Sequence, residues 1–255
     1  MIRAATIVAS LLLLAFIAIP LAGLFVHLSP AQLGSGLSSP TALTALRLSL
    51  FTTAISLAVT LALGTPLAYV LARGEFRGRR LLDAVVDLPI VVPPAVAGLA
   101  LLLVFGRFGL LGPPLRALGV QLSFTTAAVV MAQVFVASPF YVRAARSGFV
   151  AVDRTLEAAS ATLGMGPLRT FAFITVPLAA PALLGGAVLC WARALGEFGA
   201  TIMFAGNLAG ISQTLPLAVY LNLENGDVTI ATAISVLMIA ISLATILVVR
   251  TYERT

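Results

Sequence analysis

The chain contains no lysine; all 15 of its basic residues are arginine. A phosphate-binding loop of the G-x-x-x-x-G-K-S/T type is therefore excluded, because no ammonium exists to reach a nucleotide's phosphates. A Schiff-base mechanism is excluded for the same reason. One cysteine, Cys190, and one histidine, His27, leave neither a disulfide framework nor a zinc cluster. Cys190 lies inside an apolar run and reads as a small core residue. Charge is scarce as well: 9% of the 255 residues are charged and 60% are hydrophobic, where a soluble protein carries roughly 25% charged residues. Such a chain has no means of presenting a soluble surface. Nor does the net charge of +6 describe a nucleic-acid face. The arginines flank apolar segments, where membrane topology accounts for them.

What is present is apolar sequence in bilayer-sized lengths, about 20 residues or more per helix. The runs cover residues 5–26, 42–72, 82–105, 125–146, 181–204 and 228–250. They predict an all-α integral membrane protein, surrounded by lipid, with six transmembrane helices in a single domain over residues 1–255. The first run exceeds the apolar core of about 7–15 residues found in secretory signals, so it reads as a spanning helix. The second is longer than a bilayer needs, which implies tilt or overhang, with Pro66 a candidate kink. In the third, Pro89, Pro93 and Pro94 fall within six positions, so an unbroken helix is not expected there. Backbone freed at membrane depth must face protein or a watered cavity. Residues 27–39 and 106–124 read as loops. Between the last two runs a short helix is expected, capped by Ser212 or Thr214, with Pro216 in its first turn and Asn225-Gly226 ending it.

Six spans place both termini on one side. With the termini cytoplasmic, the inner segments hold eleven arginines (3, 73, 77, 79, 80, 143, 146, 154, 169, 250 and 254), while the outer loops hold two, Arg107 and Arg116. That is a strong positive-inside bias. It puts the longest polar connection, Ser147–Pro177, with the segment of about 147–180 around it, in the cytoplasm. The connection is written as a helix: Asp153 caps its start, Leu156, Ala159, Ala161 and Leu163 supply an apolar component, and Gly164, Gly166 and Pro167 stop it.

Its core, EAASATLGMGPLRTFAFITVP, resembles the cytoplasmic loop of permease subunits of ABC importers, including a glycine and a proline thirteen residues apart, Gly164 and Pro177. The resemblance implies the type I importer permease fold. It also implies a coupling helix that docks into a groove on an ATP-hydrolysing subunit, through Asp153, Glu157, Ala158, Ala159, Gly164, Gly166 and Pro177. Small residues on that helix let another surface come close. Counting back six from Gly164 reaches Ala158 and not Glu157, so either residue is a candidate for the position where the family has its docking glutamate.

A second constellation is ARALGEFGATIMFAGN, Ala192–Asn207, followed by QTLPLAVY. Arg193 and Glu197, four apart, share one helix face and can pair. Charges at the bilayer centre cost on the order of 2.5–3.5 kcal/mol and normally face a bundle interior or an aqueous path. Two readings stay open: an ion pair within a tightly packed helix, or a helix lining a translocation path. The run GEFGAT with AGN after it, together with DLPIVVPPAVAG at Asp87–Gly98, resembles molybdate importer permeases, with sulfate and thiosulfate permeases close relatives. The similarity runs from Leu43 to Arg250. It implies a path or gate formed by Asp87, Pro93, Pro94, Arg193, Gly196, Glu197, Phe198, Gly199 and Asn207. For Asp87, capping or pairing with the Arg79/Arg80 loop is the alternative.

The resemblance implies a pore subunit in the cytoplasmic (inner) membrane of a prokaryote, paired with a second copy of itself. Two ATP-binding subunits would carry the ATP and Mg, and an external oxyanion-binding protein would deliver molybdate or tungstate. This chain itself would bind no cofactor and would not be an enzyme. An ion-coupled secondary transporter is the rival, but it needs several embedded acids, and Glu197 alone sits well inside an apolar run. A membrane-embedded enzyme finds no metal cluster and no nucleophile–base pair.

Overall fold

The computed structural model describes residues 2–252, with side chains described over 6–247. Of the arginines counted above, Arg254 lies outside the described residues, and Arg3 and Arg250 lie outside the stretch with described side chains. The described residues form helices and connections without strands. In chain order these are α1 (Ile2–Val26), α2 (Pro30–Leu37), α3 (Pro40–Arg73), α4 (Arg79–Val91), α5 (Pro94–Phe105), α6 (Gly112–Ala117) and α7 (Thr126–Ala151). Then follow α8 (Arg154–Thr162), α9 (Pro167–Thr170), a π-helical turn (Phe171–Thr175), α10 (Val176–Leu195), α11 (Gly199–Ala205), α12 (Leu215–Glu224) and α13 (Val228–Tyr252). Five helices are long and apolar enough to cross a membrane, or six spans if the bent pair α4–α5 is one.

The bundle is built around α7, which packs on α3 and α10 along one part and on α5 and α11 along another. Along α3 runs a stripe of small buried residues: Ser56 and Gly64 meet α7, whereas Ala45 and Ser49 face α12 and α13. The stripe's three- and four-residue spacing keeps it on one face, and small side chains let helix backbones approach. Cys190 is fully buried in the α3–α7–α10 core. By contrast α1 has no buried residue in its spanning window, Thr6–Val26, and leans on α13.

Three features bear on the site, the first as expected from its prolines and the other two departures from the sequence expectation. The third apolar run bends by 114° between α4 and α5. The break falls at Val92-Pro93, where two consecutive prolines remove the donors a continuous helix needs. The fifth run, expected as one helix over 181–204, starts earlier, at Val176, and is interrupted at Gly196–Phe198 before α11. Finally α7 continues to Ala151, so the polar connection begins at Val152 and not at Ser147. The 27–39 and 106–124 connections also contain the short helices α2 and α6. Pro66 does not end α3. Thr214, not Ser212, is the N-cap residue of α12.

Candidate functional site

The second halves of the two broken runs lie against each other. A Cβ added at Gly98 of α5 would stand 2.6 Å from the Ala200 carbonyl oxygen and 2.7 Å from Met203 Cβ of α11. One at Gly199 would stand 2.7 Å from Pro94 Cβ. Only glycines allow this approach. At the break itself Gly196 closes α10, and Glu197 is 1% exposed. Its Oε1 accepts a 2.7 Å hydrogen bond from the Ala200 amide, in the first turn of α11. There a carboxylate meets the positive end of the helix and an otherwise orphaned N–H. Arg193 Nη1 lies 2.8 Å from Oε2, an ion pair too poorly aligned to count as a hydrogen bond. The expected Arg193–Glu197 pair is thus present. The Phe198 ring packs at 5.4 Å from that of Tyr220 on α12.

Beyond α11 the chain turns at Gly206. Asn207 Nδ2 donates to the Leu217 carbonyl at 3.1 Å, tying the connection to α12. Asn207 Oδ1 is buried without a hydrogen-bond partner in the chain, as are Thr201 Oγ1, Gln213 Nε2 and Thr214 Oγ1. Most buried polar atoms in folded proteins have partners. Among the described residues four of the seven such atoms lie in α11 and the connection that follows it; the others belong to Thr60, Arg73 and Glu197.

One residue that holds the break together escaped the sequence reading. Gln133, on α7 and 1% exposed, donates from Nε2 to the Ala194 carbonyl at 3.1 Å and to Thr53 Oγ1 at 3.3 Å. Its Oε1 accepts from Ser56 Oγ at 2.8 Å. Ala194 precedes the α10 break, and its carbonyl, which also accepts from the Glu197 amide at 3.1 Å, gains a second donor from α7. A lone Gln in an apolar run, opposite a Ser/Thr stripe of helical spacing, was the available signal.

Pro93 and Pro94 form the α4–α5 corner. Asp87 pairs loosely with Arg143 of α7, at 3.6 Å between half-exposed side chains, and not with the Arg79/Arg80 loop. Such pairs contribute about 0–1 kcal/mol. The tighter contact on α4 is Asp83 with Arg146, at 2.7 Å.

The candidate docking helix is α8. Asp153 caps it, accepting from the Thr155 amide at 2.9 Å, and this bonding holds its carboxyl below the usual carboxylate range. Gly164 takes φ +82° just beyond the helix, a left-handed stop that L side chains rarely adopt. Gly166 is the N-cap of α9, and Pro177 sits in the first turn of α10. Ala158, Ala159, Leu156 and Leu163 are exposed, Leu163 by 84%. Glu157 turns the other way. Its Oε1 lies 2.9 Å from Arg73 Nη2 at the end of α3 and accepts from Thr175 Oγ1 at 2.7 Å. The exposed face of α8 therefore presents Ala158, and the neighbouring carboxylate is engaged by Arg73 and Thr175.

Residues 64–255 match the family model described as "Binding-protein-dependent transport system inner membrane component". Among curated proteins, the chain is 40% identical over 232 residues to the "Molybdenum transport system permease protein ModB" of Mycobacterium bovis, covering 91% of this chain and 88% of that one. It is 36% identical over 212 residues to the "Probable sulfate transport system permease protein cysT" of Nephroselmis olivacea, covering 83% and 75%. Among solved structures, a chain of a bacterial ABC transporter involved in the import of the acidic polysaccharide alginate superimposes with a TM-score of 0.79 at 15% identity, over 98% of this chain and 94% of that one. With spans of this length, a family match over three-quarters of its residues and curated relatives at 36–40% identity, the chain is a multi-pass inner-membrane permease that belongs to the binding-protein-dependent transport system inner membrane components of ABC importers.

Proposed function

We propose that the chain is the pore-forming subunit of an ATP-driven importer that moves molybdate, and the nearly isosteric tungstate, across the cytoplasmic membrane by alternating access. Two copies form the path between them, with six spans each and both termini cytoplasmic, as the eleven-to-two arginine bias favours. Two ATP-binding subunits, which carry the ATP and Mg, dock on α8, and an external oxyanion-binding protein delivers the cargo. The observation that carries a polar path is the concentration of buried, unpartnered polar atoms at Thr201, Asn207, Gln213 and Thr214, beside two helices broken at membrane depth. Molybdate as cargo rests on the relative from Mycobacterium bovis. The sulfate-named relative favours a second reading, sulfate through the same path. A proton relay through Glu197 finds little support, since its two oxygens are engaged by the Ala200 amide and Arg193.

The test is reconstitution in liposomes with the ATPase and binding protein, comparing molybdate, tungstate and sulfate as stimulants of ATP hydrolysis. Stimulation by molybdate and tungstate at concentrations where sulfate is inert supports the first reading. The reverse order would transfer the assignment to sulfate, and oxyanion uptake that persists without ATP would discard both.

A further inference from the structure

We infer that Arg73 is a positioning residue for coupling: with Glu157 and Thr175 it forms the joint through which movement of the docking helix reaches α3 and α10. This rests on the reading of α8 as the docking helix. One carboxylate oxygen, Glu157 Oε1, is held by Arg73 Nη2 at 2.9 Å and by Thr175 Oγ1 at 2.7 Å. Three elements meet on that atom: the last residue of α3, the first turn of α8, and the π-helical turn that opens α10. The same Arg73 nitrogen also donates to the Val152 carbonyl at 2.9 Å, at the entry to α8. A second tie joins Ser160 Oγ of α8 to Thr170 Oγ1 of α9 at 2.7 Å.

The joint differs from the other ion pairs at this end of the bundle. Arg73 and Glu157 are 14% and 17% exposed, against 35% and 21% for Arg146 and Asp83 and 62% and 81% for Arg154 and Glu75, which stand 4.0 Å apart. Water and salt weaken the exposed pair and not the enclosed one. Arg73 Nε is buried without a hydrogen-bond partner in the chain, so the guanidinium is held through Nη2. Helix ends add to the attraction, since a cation lies at the C-terminus of α3 and an anion in the first turn of α8. Beyond the joint, α3 runs unbroken along the bundle, and α10 leads to the break at Glu197.

The complex with ATPase and binding protein, reconstituted in liposomes, gives two readouts: ATPase copurification and molybdate taken up per ATP hydrolysed. Arg73→Gln is expected to keep the ATPase bound while uptake per ATP falls about tenfold, within the ordinary range of coupling between sites. Arg73→Lys restores most of the loss, and Thr175→Val, which removes only the hydroxyl tie to α10, gives a smaller fall. Wild-type uptake per ATP in Arg73→Gln overturns the inference. So does loss of the ATPase in that variant, which would make Arg73 a builder of the docking face. Should Arg73→Gln fail to insert, Thr175→Val decides, and an unchanged ratio there overturns the inference. Leu163→Asp, on the exposed face, tests the docking reading separately: an ATPase that stays bound to it refutes that reading whatever Arg73 does.

Discussion

Substituting Gly98 by alanine adds one methyl group at the place where the two broken helices touch. The new Cβ would lie 2.6 Å from the Ala200 carbonyl oxygen, 2.7 Å from Met203 Cβ and 2.8 Å from Ala200 Cα. Ordinary contact begins at 3.4 Å, so α5 and α11 must separate by 3.4 − 2.6 = 0.8 Å at this point. The obstructing atoms include backbone, and no rotamer change removes them. Overpacking of this kind costs typically 1–3 kcal/mol. The strain falls on the pairing of α5 with α11 and on the Glu197–Ala200 bond at its edge. Gly185→Ala on α10 is the control, because a Cβ there meets nothing within 4 Å. In detergent, Gly98→Ala should lower the thermal unfolding midpoint, and in liposomes it should reduce ATP-driven uptake by about tenfold or more, a factor that about 1.4 kcal/mol produces. Gly185→Ala should leave both readings unchanged, although an effect there would locate a contact with another chain. Wild-type uptake and stability in Gly98→Ala would refute the close contact between the two half-helices.

Gln133→Leu should lower stability by about 1–3 kcal/mol, since a leucine of similar size still fills the space but leaves the Ser56 and Thr53 hydroxyls without their buried partner; a midpoint equal to wild type would show that the network contributes nothing. Arg193→Ala and Glu197→Ala should both impair uptake with the ATPase still bound, and Arg193→Ala should be the less stable, because it leaves a fully buried carboxylate without its cation. Normal uptake in both would relegate the pair to structure. Gly164→Val should abolish ATPase copurification without preventing membrane insertion, as a β-branched residue does not adopt φ +82° and the end of α8 must rebuild; copurification that survives would refute the docking assignment.

The all-helical class was legible because apolar runs of bilayer length have few alternatives. The corner at Val92-Pro93 was legible too, since consecutive prolines state a broken helix in covalent terms. The break at Gly196–Phe198 was not, because a single glycine is tolerated in a helix and GEFG carries no proline. The contact that no local signal announces is tertiary: Gln133, 61 positions away, donates to the Ala194 carbonyl, whereas the bond from the Ala200 amide to Glu197 spans three residues. The caps of α8 were readable from Asp153 and Gly164, both local devices. Arg73 was invisible as a partner for Glu157. Topology explains every flanking arginine equally well, and a contact across 84 positions leaves no periodic trace.

The contrast between α3 and its neighbours has a mechanical consequence. Two of the runs packed around α7 are broken at membrane depth, while α3 continues for 34 residues, about 50 Å at 1.5 Å per residue. Along that length α3 is tied to the backbone of other elements at three levels, besides side-chain contacts such as that of Thr65 with Tyr141. Arg73 holds the Val152 carbonyl at one end, Ser56 and Thr53 hold Gln133 and through it the Ala194 carbonyl, and Ser49 Oγ accepts from the Leu215 amide at 2.8 Å nearer the other end. Each tie ends, directly or through Gln133, on backbone of another element, so it constrains where that element's chain can run and not only a side chain. A continuous helix so anchored moves as a rod, whereas α4–α5 and α10–α11 have corners at which one half can turn against the other. A partner pulling on α8 would therefore move the foot of α3 and the start of α10 together, and the difference between them would be taken up at the Glu197 break. A switch needs differential contacts in its two states, and under the alternating access proposed above the ion pair and amide bond at Glu197 would be contacts that differ.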